Sequence, residues 1–208
     1  RRMYPNVLTR EGFIEFEYNG WKDNANPDHH TLLPFIRGVA GPMDYIPGTL
    51  NNATKKNYRP VGDKPMGQGT RAHSIALAVI MESPMQMIPD SPSDYMREEE
   101  CSRFLMSIPV EWDETRVLDA KIGDYIILAR RNGDDWYVSA ITDWQPREFE
   151  IDFDFLQDGN YKIKFIKDGL NANIRAIDYK MIEETVNRNA TKKISLASGG
   201  GWIAKIYK

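Results

Sequence analysis

Apolar and polar positions along the chain follow two different rhythms. Up to about residue 110, short apolar runs alternate with longer stretches of helical spacing, which reads as strand followed by helix, three times over. The first strand is expected over residues 4–9, followed by a loop rich in acids, the polar spacer NGWKDNANPDHH and a helix over 31–39, with Thr31 as its N-cap and Gly41-Pro42 as its stop. A second strand, 43–46, ends at Pro47-Gly48. Its helix, 68–82, carries Ile75, Leu77, Ala78, Val79 and Met81 on an apolar face and stops before Pro84. The third strand, 85–88, lies between Pro84 and Pro89, and a helix over 93–108 opens at Ser93 and aligns Met96, Cys101, Phe104, Leu105 and Ile108. The acids Glu98, Glu99 and Glu100 near its start suit the helix dipole.

Beyond residue 110 the period changes to two, with strands expected at 116–120, 125–131, 136–141, 148–153, 161–167, 193–196 and 202–207, and at 185–186 closing a weaker run. Turns at 131–134 (RNGD), 157–160 (QDGN) and 198–201 (SGGG) join them. The expected fold is therefore α/β plus all-β, with parallel strands and right-handed crossovers in residues 1–110 and a C-terminal antiparallel β-sandwich in 111–208. Three parallel strands cannot close a barrel, so the first part is expected to complete a sheet whose earlier strands lie elsewhere in a larger protein.

Composition narrows the function classes. With 41% apolar residues, eight Phe, ten Tyr and five Trp, the 208 residues can bury a core and are not a disordered chain. A net charge of −3 with mixed signs offers no basic stripe, so no nucleic-acid partner is expected. No apolar run approaches the length of a membrane span, roughly 18 residues. The opening RRMYPN has no apolar signal core. Cys101 is the single cysteine, which excludes an internal disulfide and a Cys-ligated zinc site.

In an alternating strand–helix fold the chemistry sits on loops after the strands. That rule selects the stretch holding Glu11, Glu15 and Glu17, the stretch 44–49, and Asp90. Carboxylates there suit acid/base hydrolysis of a glycoside or oxygen ligation of calcium, and residue type does not separate the two. His29, His30 and His73 lack a third partner for zinc. Gly62, Gly67 and Gly69 lack the spacing of a phosphate loop, and the sequons at Asn52 and Asn189 are matches that chance supplies. Trp136, Trp144 and Trp202 could stack on a sugar, though core packing is the simpler role.

Four long motifs, in order, carry a family resemblance: RRMYPNVLTREG followed by EYNGW, LLPFIRGVAGPMDYIPGTLNNATK, PMGQGTRAHSIALAVIMESPMQMIPDSPSDY, and VEWDETRVLDAKIGDYIILARR through TDW to FIKDG. Across nearly the whole chain the sequence resembles the C-terminal part of glycoside hydrolase family 97, calcium-dependent α-glycosidases. The resemblance implies the last three units of a (β/α)8 barrel before the β domain, and an N-terminal remainder of the same enzyme as partner. It further implies Glu17 as proton donor and calcium ligand, Glu11 as a second Ca²⁺ ligand, and a nucleophile or base located before Arg1. Glu15 matches no family residue and is a neighbour on the loop. The form MDYIPGTLNNATK is closer to the retaining branch, so a retaining α-galactosidase is expected ahead of an inverting α-glucosidase, acting on an oligosaccharide or small glycoside in the periplasm or outside the cell. A non-catalytic carbohydrate-binding or structural piece is the alternative.

Overall fold

The computed structural model describes residues 3–208. In the first half a 3-10 turn (Phe16–Gly20) precedes α1 (Pro27–His30) and α2 (Leu33–Ile36), and the two-residue strands β1 (Asn52–Ala53) and β2 (Gly67–Gln68) pair in parallel. Three further helices follow, α3 (Arg71–Ile80), α4 (Pro92–Arg97) and α5 (Glu99–Met106).

The expected strands 4–9, 43–46 and 85–88 form no ladder; a single parallel bridge joins Arg10 to Met43. Asp44 N–H donates to the Arg10 carbonyl (3.1 Å) and Met43 N–H to the Glu82 carbonyl (2.8 Å), so three segments do run side by side in chain order. Their contacts fall just past the first expected strand and shortly before the third. Parallel pairing is slightly less stable per residue, and the outer segments lack a further strand neighbour among the described residues, so little extends the pairing beyond one bridge.

The helices also differ at their ends. Instead of one helix over 31–39, Asn26 caps a turn that starts at Pro27, its Oδ1 accepting from His29 N–H at 3.1 Å. Thr31 closes that turn rather than opening one, and Pro34, which has no N–H to give, stands in the first turn of the separate α2. Ser91, not Ser93, caps the third helical stretch, which breaks at Glu98 (φ −111°, ψ 47°) into α4 and α5. Glu98 is thereby turned onto Arg71, at 2.8 Å, so an ion pair rather than the helix dipole accounts for it.

Eight strands make the second half: β3 (Glu114–Lys121), β4 (Tyr125–Asn132), β5 (Asp135–Thr142), β6 (Arg147–Asp152), β7 (Tyr161–Asp168), β8 (Tyr179–Val186), β9 (Thr191–Leu196) and β10 (Gly201–Tyr207). All pair antiparallel, in a six-stranded sheet of order β3-β4-β5-β10-β7-β8 and a two-stranded sheet β6-β9. The large sheet is covered on both faces. On one side Ile127, Trp136, Val138, Phe165 and Trp202 meet Ile151, Ile194 and Leu196 of the small sheet. On the other, Ile126, Leu128, Tyr137, Ile141 and Ile203 meet the apolar side of α3.

The seam between helix and sheet is also polar. Ser139 donates its hydroxyl to the Ala76 carbonyl (2.9 Å), Thr70 N–H donates to Gly199 O and Arg71 N–H to Ala176 O, both at 2.8 Å. The turn before β10 presses so closely on α3 that a Cβ on Gly201 would collide with the His73 backbone, which only glycine avoids. The buried Asp168 carboxylate stitches this turn, accepting from Ala197 N–H (2.8 Å) and Gly201 N–H (3.1 Å), and burial pushes its carboxyl up to about 6. No helix among the described residues is long and apolar enough to cross a membrane.

Candidate active-site loop

The acids of the first loop separate by burial. The 3-10 turn makes a tight bend that leaves Glu17 outside and swings Glu15 inward; Glu11 and Glu17 are exposed, whereas Glu15 is 5% exposed. Glu15 Oε1 accepts from Ile46 N–H at 2.7 Å, tying the loop to the segment after Asp44, while Oε2 is buried without a partner. Desolvation therefore dominates, with Asp44 and Glu17 adding repulsion, and the Glu15 carboxyl is pushed up to about 8. The sequence placed Glu15 only as a loop neighbour. A buried Glu has no local signature, because its burial is decided by residues distant in the chain, here Ile46.

Glu11 and Glu17 accept no hydrogen bond and form no ion pair with their side chains among the described residues. The described residues gather no cluster of three His, Cys, Asp or Glu able to hold a metal. Two free carboxylates are nonetheless the hard oxygen donors that Ca²⁺ takes, so they fit as part of a shell that other residues would complete. Beside Glu17 stand two exposed aromatics that the sequence did not single out. Tyr18 (45% exposed) and Trp21 (66% exposed) meet edge to face at 6.0 Å. They offer apolar surface to a sugar ring.

Asp90, expected after the third strand, lies across from the second segment rather than on the Glu17 loop. It accepts from Thr49 Oγ1 (2.9 Å) and Leu50 N–H (2.6 Å), and burial raises its carboxyl. Trp136, Trp144 and Trp202 are buried, so none of these three presents a stacking face, and core packing is their role.

The three histidines sort into a network. His29 Nε2–H donates to the Ile14 carbonyl at 3.1 Å, in the loop of acids. His73 Nδ1–H donates to Gly200 O (3.0 Å), which leaves His73 Nε2 to accept from His30 Nδ1–H (2.9 Å). This arrangement requires His73 neutral, and burial opposes a charge on either ring of the pair. Burial lowers His30 well below its ordinary value and His73 down to about 4.

A pH dependence of stability follows. The unfolded chain protonates these rings near 6.5, while the native chain holds them neutral, so the unfolded state binds more protons between about pH 6.5 and 4 and stability falls as pH drops through that window. Glu15 and Asp168 run the other way, since their native carboxyls keep protons that the unfolded chain has released. The difference between wild type and His73→Gln isolates the ring: unfolding free energies from urea are expected to fall more steeply in wild type, by about 1.4 kcal/mol per pH unit. Parallel curves would show that His73 is not held neutral.

Comparison with known proteins extends these observations. Residues 111–207 match the family model described as glycosyl-hydrolase 97 C-terminal, oligomerisation. A retaining alpha-galactosidase of Bacteroides thetaiotaomicron is 46% identical over 207 residues, covering 99% of this chain and 31% of that protein. A probable retaining alpha-galactosidase of Streptomyces bingchenggensis is 27% identical over 205 residues, covering 98% of the chain and 29% of the relative. Among solved structures, a glycoside hydrolase family 97 enzyme from Pseudoalteromonas sp. strain K8, in complex with acarbose, superposes with a TM-score of 0.88 at 34% identity over 98% of this chain and 32% of that one. The chain thus spans about a third of the length of the relatives it matches.

Proposed function

The chain belongs to glycoside hydrolase family 97, and from that premise we propose that it forms part of a retaining α-galactosidase, with Glu17 as its proton donor and Glu11 and Glu17 as calcium ligands. The observation that carries the reading is the state of Glu17: an exposed carboxylate with no hydrogen-bond partner among the described residues, at a bend whose other acid is buried, next to Tyr18 and Trp21. The identity to a retaining alpha-galactosidase over 99% of the chain favours galactoside over glucoside.

In this mechanism Glu17 gives a proton to the departing glycosidic oxygen and, in the second half of the reaction, takes one from the incoming water. The nucleophile is carried elsewhere in the protein. Glu15 does not compete for the acid role, because its carboxyl is enclosed and held by Ile46. Glu11 and Glu17 would each lend oxygen to Ca²⁺, which when bound supplies fixed positive charge at the loop. The barrel architecture, the calcium requirement and a periplasmic or secreted location belong to the same proposal, supported by the family.

Hydrolysis of nitrophenyl α-galactoside and α-glucoside by the full-length protein, with and without chelator, tests it. The galactoside is expected to be the better substrate, the first-formed sugar to retain the α configuration by NMR, and chelation to abolish turnover. An inverted product, or activity indifferent to chelator, overturns the respective part.

A further inference from the structure

Resting on that reading, the geometry points to His29 as a positioning residue for the proton-donor loop, held in place by a relay that begins in the β domain. Hydrogen bonds and one peptide step make the path. Gly200, in the turn between β9 and β10, accepts from His73 on α3 at 3.0 Å, and His73 accepts from His30 on α1 at 2.9 Å. His29, the next residue back along α1, donates to Ile14 O at 3.1 Å, shortly before Glu17 in the chain. Within α1, His29 is fixed by its own N–H bond to Asn26 Oδ1. Each ring has one nitrogen committed as donor and no freedom to swap roles, so the β-domain turn, two helices and the acid loop share one register.

The relay serves a purpose that packing alone does not. Glu17 sits on an exposed turn held from its far side by Glu15 on Ile46 and by Asn19, whose amide donates to Ala25 O and Met66 O, each at 3.1 Å, and whose carbonyl accepts from the Tyr58 hydroxyl. On the near side Arg37 holds the carbonyls of Arg10 and Glu11. Between Glu11 and Glu15 the Phe13 ring stacks on Tyr45 at 5.9 Å, and the His29 bond holds the carbonyl of the next residue, Ile14. A carbonyl held there sets where the chain turns, and a general acid displaced by about 1 Å can lose on the order of a hundredfold in rate.

The test exploits leaving groups. Proton donation matters for sugar leaving groups and hardly for fluoride, which departs unaided. In the full-length enzyme His29→Leu, which cannot donate, is expected to lower kcat/KM at least about tenfold on a disaccharide α-galactoside while changing it less than about twofold on α-galactosyl fluoride. His29→Gln, which restores an N–H donor, is expected to recover most of the loss. Equal losses on both substrates, or no loss on either, overturn the positioning role, as does failure of the Gln variant to rescue a Leu variant whose melting temperature is unchanged. Glu17→Gln assayed in parallel separates the two ideas: if it shows no leaving-group dependence, the acid assignment fails; if it does and His29→Leu does not, only the relay fails.

Discussion

Glu17→Gln in the full-length protein is expected to lower kcat/KM on unactivated α-galactosides by about 10²- to 10⁴-fold, the usual contribution of a positioned general acid. Glutamine keeps the shape and one oxygen of glutamate but carries no acidic proton to give. The loss should therefore shrink on α-galactosyl fluoride. Calcium affinity provides the second arm. A metal-bound carboxylate is held ionised by the cation, whereas a donor must be protonated when substrate arrives, so the two duties conflict on one residue unless its two oxygens divide them. If they do, Glu17→Gln retains calcium through its remaining oxygen and through Glu11, and calorimetric titration of the variant gives a dissociation constant near that of wild type. Concurrent loss of metal and activity would assign Glu17 to the cation and leave the proton to another group.

What the sequence disclosed about this site was limited by what is local. The bend from Glu15 to Trp21 announced itself by its acids, and the β strands by period-two alternation broken at turns such as Gly133, whose φ of 58° suits glycine. Those features depend on neighbours a few positions away. The strand segments of the first half do not, since parallel partners come from distant sequence, and there the expected ladders reduced to one bridge between Arg10 and Met43. The burial of Glu15 under Ile46 and the pairing of His30 with His73, 43 positions apart, are likewise products of tertiary structure. Residue type left the histidines without a third zinc partner; position makes two of them a neutral hydrogen-bonded pair.

Trp202→Ala is expected to cost about 3–5 kcal/mol of stability, read as a lowered urea midpoint. Trp202 is the largest fully buried side chain of the described residues, 1% exposed, with its ring centroid 5.5 Å from that of Phe165. It sits on β10, fourth of the six strands and paired on both edges, with β5 and with β7. Because successive side chains of a strand point to opposite faces, Trp202 fills the core under β6-β9, while Ile203 reaches the α3 side. Collapse of the backbone into the space an alanine leaves is resisted, since the strand is held on both edges and Gly201 before it is pinned against the His73 backbone. Ile203→Val removes a single methyl group and should cost only about 0.5 to about 1.5 kcal/mol. That loss falls, however, on the seam that carries α3 and, through His73, the acid loop. The two variants therefore ought to part company: Trp202→Ala unfolds the enzyme at lower urea yet leaves kcat/KM of the folded fraction intact, whereas Ile203→Val changes stability little and shows any functional effect on sugar leaving groups first. A loss below about 1 kcal/mol for Trp202→Ala would mean that the two sheets are not packed through this residue.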